Sequence, residues 1–200
     1  MLDAIAARAN ASSSVLPTLL GAGPWIASRA AGITAFVGLT LVVSLGLFVS
    51  TGLADPFVAR AKVMDAHRWL SSVTLGLVAL HAAALLGDRF VRFDVLDLAI
   101  PFLTRHRPVA VGLGVVASYG LWLVHASASW RAALGAAGWR ALHRASALFY
   151  AGALAHGLLA GTDSRALAPL YVSSSLIVGA LVLLRLSRPR GPAPRGRSVP

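Results

Sequence analysis

The chain has 200 residues, of which 57% are hydrophobic and only 12% charged, and its mean hydropathy of +0.74 is not that of an ordinary soluble domain. The absence of cysteine excludes disulfides, thiolate-held iron–sulfur clusters, covalent c-type haem attachment and thiol redox centres. The net charge of +11 sits on arginines that flank apolar stretches or crowd the C-terminal tail, which reads as headgroup contact and topology control, with no nucleic-acid partner implied.

Residues 1–29 carry Asp3 where a secretory signal would be basic, and Pro17, Gly21, Gly23 and Pro24 interrupt their apolar part, so no cleaved signal is read. They form either an interfacial leader, seated by Leu16, Leu19, Leu20, Trp25 and Ile26, or a segment without fixed structure. Charge-free runs then follow at 30–54, 69–87, 108–130, 145–162 and 166–184, each near the length that crosses a bilayer. Backbone polar groups cannot go unpaired in lipid, and no two-residue alternation is present, so all five spans should be helical. The expected fold is an all-α membrane protein, a bundle of about five transmembrane helices over residues 30–186, with no separate soluble domain.

Between the second and third spans, residues 88–107 alternate charges with Phe90, Val91, Phe93, Leu96, Ile100 and Phe102, apolar enough to lie on the interface and cover what is beneath. Asp94 and Asp97 in this segment would attract a cationic acceptor or simply face water. Residues 187–200 hold Arg188, Arg190, Arg195 and Arg197 among prolines and glycines and read as a basic, disordered tail.

Five spans sort the 18 Lys and Arg residues into seven with the N-terminus and eleven with the C-terminus. The positive-inside rule then favours an outside N-terminus and a cytoplasmic C-terminus in a bacterial-type plasma membrane. The inner face is the strongly positive one, and its field would attract an anionic soluble donor or anionic lipid.

Histidine is the only strong ligand type in the chain. His67 and His81 are fourteen residues apart on the second span, His143 and His156 thirteen apart on the fourth. At about 1.5 Å per residue each separation is roughly 20 Å, inside a hydrocarbon core about 30 Å thick. One intervening span makes the two helices parallel, so His67 can face His143 at one depth and His81 can face His156 at another. Each pair would clamp one iron from both sides, giving two stacked haem b groups without an open coordination position, suited to outer-sphere electron transfer. Fourteen residues at 100° return to within 40° of one face, but thirteen miss by about 140°. Either the two groups sit at different azimuths or winding near Gly152 re-aims one side chain.

Arg68 and Arg144 follow the first histidine of each pair, and with Arg140 are candidates to bind haem carboxylates; they are equally well explained as positive-inside flanks. His125 in the third span and His106 beside Arg105 and Arg107 have no matched partner and read as a packed residue and a loop residue.

The paired spacing resembles that of the ferric reductase-like transmembrane domain family, which is related to the NADPH oxidases, over roughly residues 25–184. Stretches such as Ala66-His67-Arg68-Trp69-Leu70-Ser71, Leu96-Asp97-Leu98-Ala99-Ile100-Pro101-Phe102 and His156-Gly157-Leu158-Leu159-Ala160-Gly161-Thr162-Asp163-Ser164 look like its short bacterial members. The resemblance implies a cytochrome b core, the membrane subunit of an oxidoreductase, that passes electrons from a cytoplasmic donor to an external acceptor such as ferric iron. No Gly-rich phosphate loop follows the last span, so a separate flavoprotein or a quinol must supply the electrons.

The haem-binding membrane subunit of a periplasmic methionine sulfoxide reductase system is the second reading. In that family the position of His67 is often not histidine, whereas here all four positions are filled. Of other classes, a proton-relay transporter would pair its histidines with Asp or Glu, and none of the five runs contains one. A haem-free membrane scaffold would not need four histidines at two matched depths.

Overall fold

A computed structural model of the chain describes the backbone of residues 2–187 and the side chains of residues 22–187. The expected tail and the side chains expected to seat the leader before residue 22 lie outside the described residues. Among the described residues seven helices follow in order: α1 Leu2–Thr51, α2 Arg60–Leu85, α3 Val95–Ala99, α4 Pro108–Ala126, α5 Arg131–Arg144, α6 Ser146–Ala160 and α7 Ala168–Ser187. Among the described residues there is no strand.

Among the described residues, four stretches are long and apolar enough to cross a membrane: Ala22–Thr51, Arg60–Leu85, Pro108–Ala126 and Ala168–Ser187. Large aliphatic side chains face outward along them and along α6, with Leu148 74%, Leu176 68%, Leu183 68% and Leu186 73% exposed, the surface a bilayer would cover.

Two expectations need correction. The first span-length helix is not confined to residues after Arg29: α1 is continuous through it, and among the described residues its apolar stretch covers Ala22–Thr51. Pro24 and the glycines do not interrupt α1. The fourth expected span is also not one span-length helix, since α6 has 15 residues, about 22 Å of rise. It is extended at its start by α5, because Ala145 between them keeps right-handed helical angles (φ −62°, ψ −16°). The real break is Gly135, whose φ of 65° is readily open only to glycine, so α5 turns there before the rod begins.

α1 packs along α2, α4 along α6, and α7 against α1, while α2 touches α4 and α1 touches α6. α2 and α6 are not packed on each other as these pairs are. The core lies between α1, α6 and α7, where Phe36 stacks on Tyr150 at 5.9 Å and meets the edge of Tyr171 at 5.2 Å. Buried hydroxyls within α1 are satisfied locally: Thr40 donates to the Phe36 carbonyl, Ser44 to that of Thr40 and Thr51 to that of Leu47.

Arginine side chains tie the ends of the bundle that the sequence sorts as outer. Arg107, the residue before α4, donates to the carbonyls of Leu159 and Ala160 at the C-terminus of α6, at 2.9 and 3.0 Å. Arg29 of α1 pairs with Asp163 and donates to Thr162 in the α6–α7 loop.

Candidate functional site

The histidines of α2 meet those of the α5–α6 rod across the interior. The His67 and His143 rings are 6.1 Å apart between centroids, at 63°, and the His81 and His156 rings are 6.1 Å apart, at 76°. Both pairs therefore form at one spacing, and along α2 they are fourteen residues, about 21 Å, apart. Part of the azimuth difficulty is met at Ala145. The Ala145 N–H reaches the carbonyls of both Ala141 and Leu142, and that of Leu148 bonds back to Ala145 three residues earlier. Such tightened turns wind at about 120° per residue rather than 100°, which narrows the mismatch between His143 and His156.

Three of the four rings are held by one device. His67 Nδ1 donates to the Val42 carbonyl at 3.0 Å, His81 Nδ1 to that of Ser28 at 2.7 Å, and His156 Nδ1 to that of Ala110 at 2.8 Å. A helical carbonyl is normally occupied by the N–H four residues on and shielded by the side chain there. Here those positions are Gly46, Gly32 and Gly114, so the second lone pair of each carbonyl is open to an imidazole. A Cβ on Gly32 would stand 2.8 Å from His81 Nδ1, on Gly114 2.6 Å from His156 Nδ1, and on Gly46 3.3 Å from His67 Cε1. Ser28 adds a hydroxyl that donates to the carbonyl of His81. Because a carbonyl can only accept, Nδ1 carries the proton in all three rings, and Nε2 is left as a free lone pair.

His143 differs. Its ring makes no backbone hydrogen bond of this kind; it stacks on Trp139 at 5.0 Å and 21°, and the Arg131 guanidinium covers that indole ring at 4.6 Å. Trp139 Nε1 is buried and has no hydrogen-bond partner. Trp139 has no place in the sequence reading, although its four-residue spacing from His143 is the signal that points to it.

Arg68 lies 3.8 Å from Asp65 on its own helix and is 73% exposed, and Arg144 donates to the Arg140 carbonyl. Neither is bonded to a histidine, though both border the His67–His143 pair. His106 meets the edge of Phe93 at 6.0 Å in the α3–α4 region, and His125 is exposed in the last turn of α4; neither joins a pair. Asp94 and Asp97 cap α3 reciprocally, each accepting a backbone N–H.

Chemically, each pair can present two neutral imidazole nitrogens to one point from opposite sides. Two metal–nitrogen bonds of about 2.0–2.1 Å, plus roughly 1.1 Å from each nitrogen to its ring centre, put the centroids about 6 Å apart. No group of three or more His, Cys, Asp or Glu side chains able to hold a metal ion exists among the described residues. Two imidazoles leave most metal ions short of their usual four to six ligands, which a bound group or water would complete. The chain matches no family model, no curated protein and no solved structure.

Proposed function

We propose that the chain is a membrane-embedded cytochrome b that carries electrons across the bilayer through two haem groups, one on His67 and His143 and one on His81 and His156. The observation that carries this reading is the repeated 6.1 Å separation of facing imidazoles at two levels of the same helices. Three further features support it. A six-coordinate iron held by either pair would need four more ligands, which a porphyrin would supply; three rings have their tautomer fixed with Nε2 free; and α2 and α6 approach each other without close packing. The buried, unpartnered Trp139 Nε1 beside His143 is the donor that a porphyrin carboxylate would use.

When bound, haem b held by two histidines supplies a one-electron couple without an open position for substrate. The chain's own residues orient the ligands: the carbonyls of Ser28, Val42 and Ala110 fix ring direction, and Gly32, Gly46 and Gly114 let the rings approach. Arg68, Arg140 and Arg144 give the His67–His143 end a positive border that binds carboxylates. With that end cytoplasmic, a separate flavoprotein or a quinol is the donor, and an external oxidant such as ferric iron is the acceptor. The test is electron transfer across a sealed membrane. Proteoliposomes with ferricyanide trapped inside should reduce it when an impermeant reductant is added outside, and His81→Ala vesicles should lose that transfer. Equal rates in wild-type, His81→Ala and protein-free vesicles would contradict the proposal.

A further inference from the structure

The two histidine pairs are built unequally, and the inequality falls on the property that orders electron transfer. At the His81–His156 pair both imidazoles donate Nδ1–H to a backbone carbonyl. At the His67–His143 pair only His67 does. An imidazole whose N–H is given to a strong acceptor is a more basic ligand and favours the oxidised metal. His143 has instead a ring face on Trp139, and the Arg131 guanidinium lies over the same indole, 4.6 Å from its centre. A cation held close to a redox centre favours its reduced state.

The shape of α4 explains the difference. From Ala110 and Gly114, which serve His156, thirteen residues lead to Leu123 and Ser127, the positions that would serve His143. There α4 ends at Ala126, and the place of the glycine is taken by Ser127, fully buried with its hydroxyl donated to the Val124 carbonyl. A carbonyl for His143 is therefore not offered, and the i,i+4 aromatic Trp139 holds the ring.

We infer that Trp139, backed by Arg131, is the positioning residue of the His67–His143 site, and that it makes this site the more easily reduced of the two. The inference rests on the haem reading above. It assigns the electron a resting place at the Trp139 end of the molecule, so that an acceptor at the other end must draw it onward.

The test is a redox titration of the full-length protein in lipid nanodiscs, followed by visible absorbance, with low-temperature electron paramagnetic resonance of the oxidised form. The wild-type protein should titrate in two steps with two low-spin signals. Trp139→Ala should move the more positive step toward the more negative one and alter one low-spin signal, leaving the other unchanged. Trp139→Phe, which restores a ring face but not the N–H, should return both readouts part of the way toward wild type. Should Trp139→Ala not accumulate, Trp139→Leu, which fills the volume without a ring face, carries the same expectation. Unchanged steps and signals in a variant lacking the ring, or a shift confined to the more negative step, would overturn the inference. A wild-type protein without haem would instead defeat the functional proposal beneath it.

Discussion

The α1–α2 half of the molecule uses one device twice, whereas the α4–α6 half uses it once and then substitutes another. On α1, Ser28 with Gly32 and Val42 with Gly46 are fourteen residues apart, matching His81 and His67 on the antiparallel α2. On α4, Ala110 with Gly114 serves His156, but the helix ends before a second copy can form, and His143 rests on Trp139. Matching histidine spacing thus does not require matching support. The level of the His81–His156 pair is fixed by backbone on both sides, while the other level has backbone on the His67 side and a side-chain stack on the His143 side.

The largest effect should come from the ligand positions themselves. Alanine at His67, His81, His143 or His156 should each remove about one haem per chain, whereas His106→Ala and His125→Ala should remove none, as read by pyridine haemochrome content. Retention of both haems in His156→Ala would break the symmetry between the two halves.

Next come the glycines. Gly114→Ala and Gly32→Ala force a methyl against an imidazole held by its carbonyl, an overpacking of about 1–3 kcal/mol, with loss of haem from the His81–His156 level. Gly46→Ala, where a Cβ would stand 3.3 Å from the ring, should be the milder of the three. An affinity ranking with Gly46→Ala worst would show that the glycines serve packing rather than access to the carbonyl.

Arg107→Gln removes the donor to the last carbonyls of α6, and a loss of about 1 kcal/mol, seen as lower thermal stability with haem content intact, is expected. Smallest of all is Gly76→Ala, since no atom lies within 4 Å of the added methyl. Its absorbance spectrum should match that of the wild-type protein and its melting temperature should equal or slightly exceed the wild-type value, which sets the baseline for the other glycine variants.

The spacing of the four histidines was legible because helical rise converts residue number directly into depth, and depth is what brings facing rings together. The helices of the first, second, third and last spans were legible for a related reason, since an uninterrupted apolar run of spanning length has few other structures open to it. The composite rod of α5 and α6 was not. Its break at Gly135 and its tightening at Ala145 are set by local backbone geometry, to which a hydropathy pattern is blind. Gly114 was visible as a small residue in a span, but its role depends on a histidine 42 positions away in sequence, on a different helix. Asp94 and Asp97, read as attractors of a cation or as water-facing acids, close a capping box around a five-residue helix.

The most direct measurement is haem per chain in the purified full-length protein, from a dithionite-reduced minus oxidised spectrum and pyridine haemochrome quantification. Two low-spin b haems per chain is the result expected of two facing histidine pairs. No haem after expression with ample haem supply would contradict the assignment of those pairs as ligands.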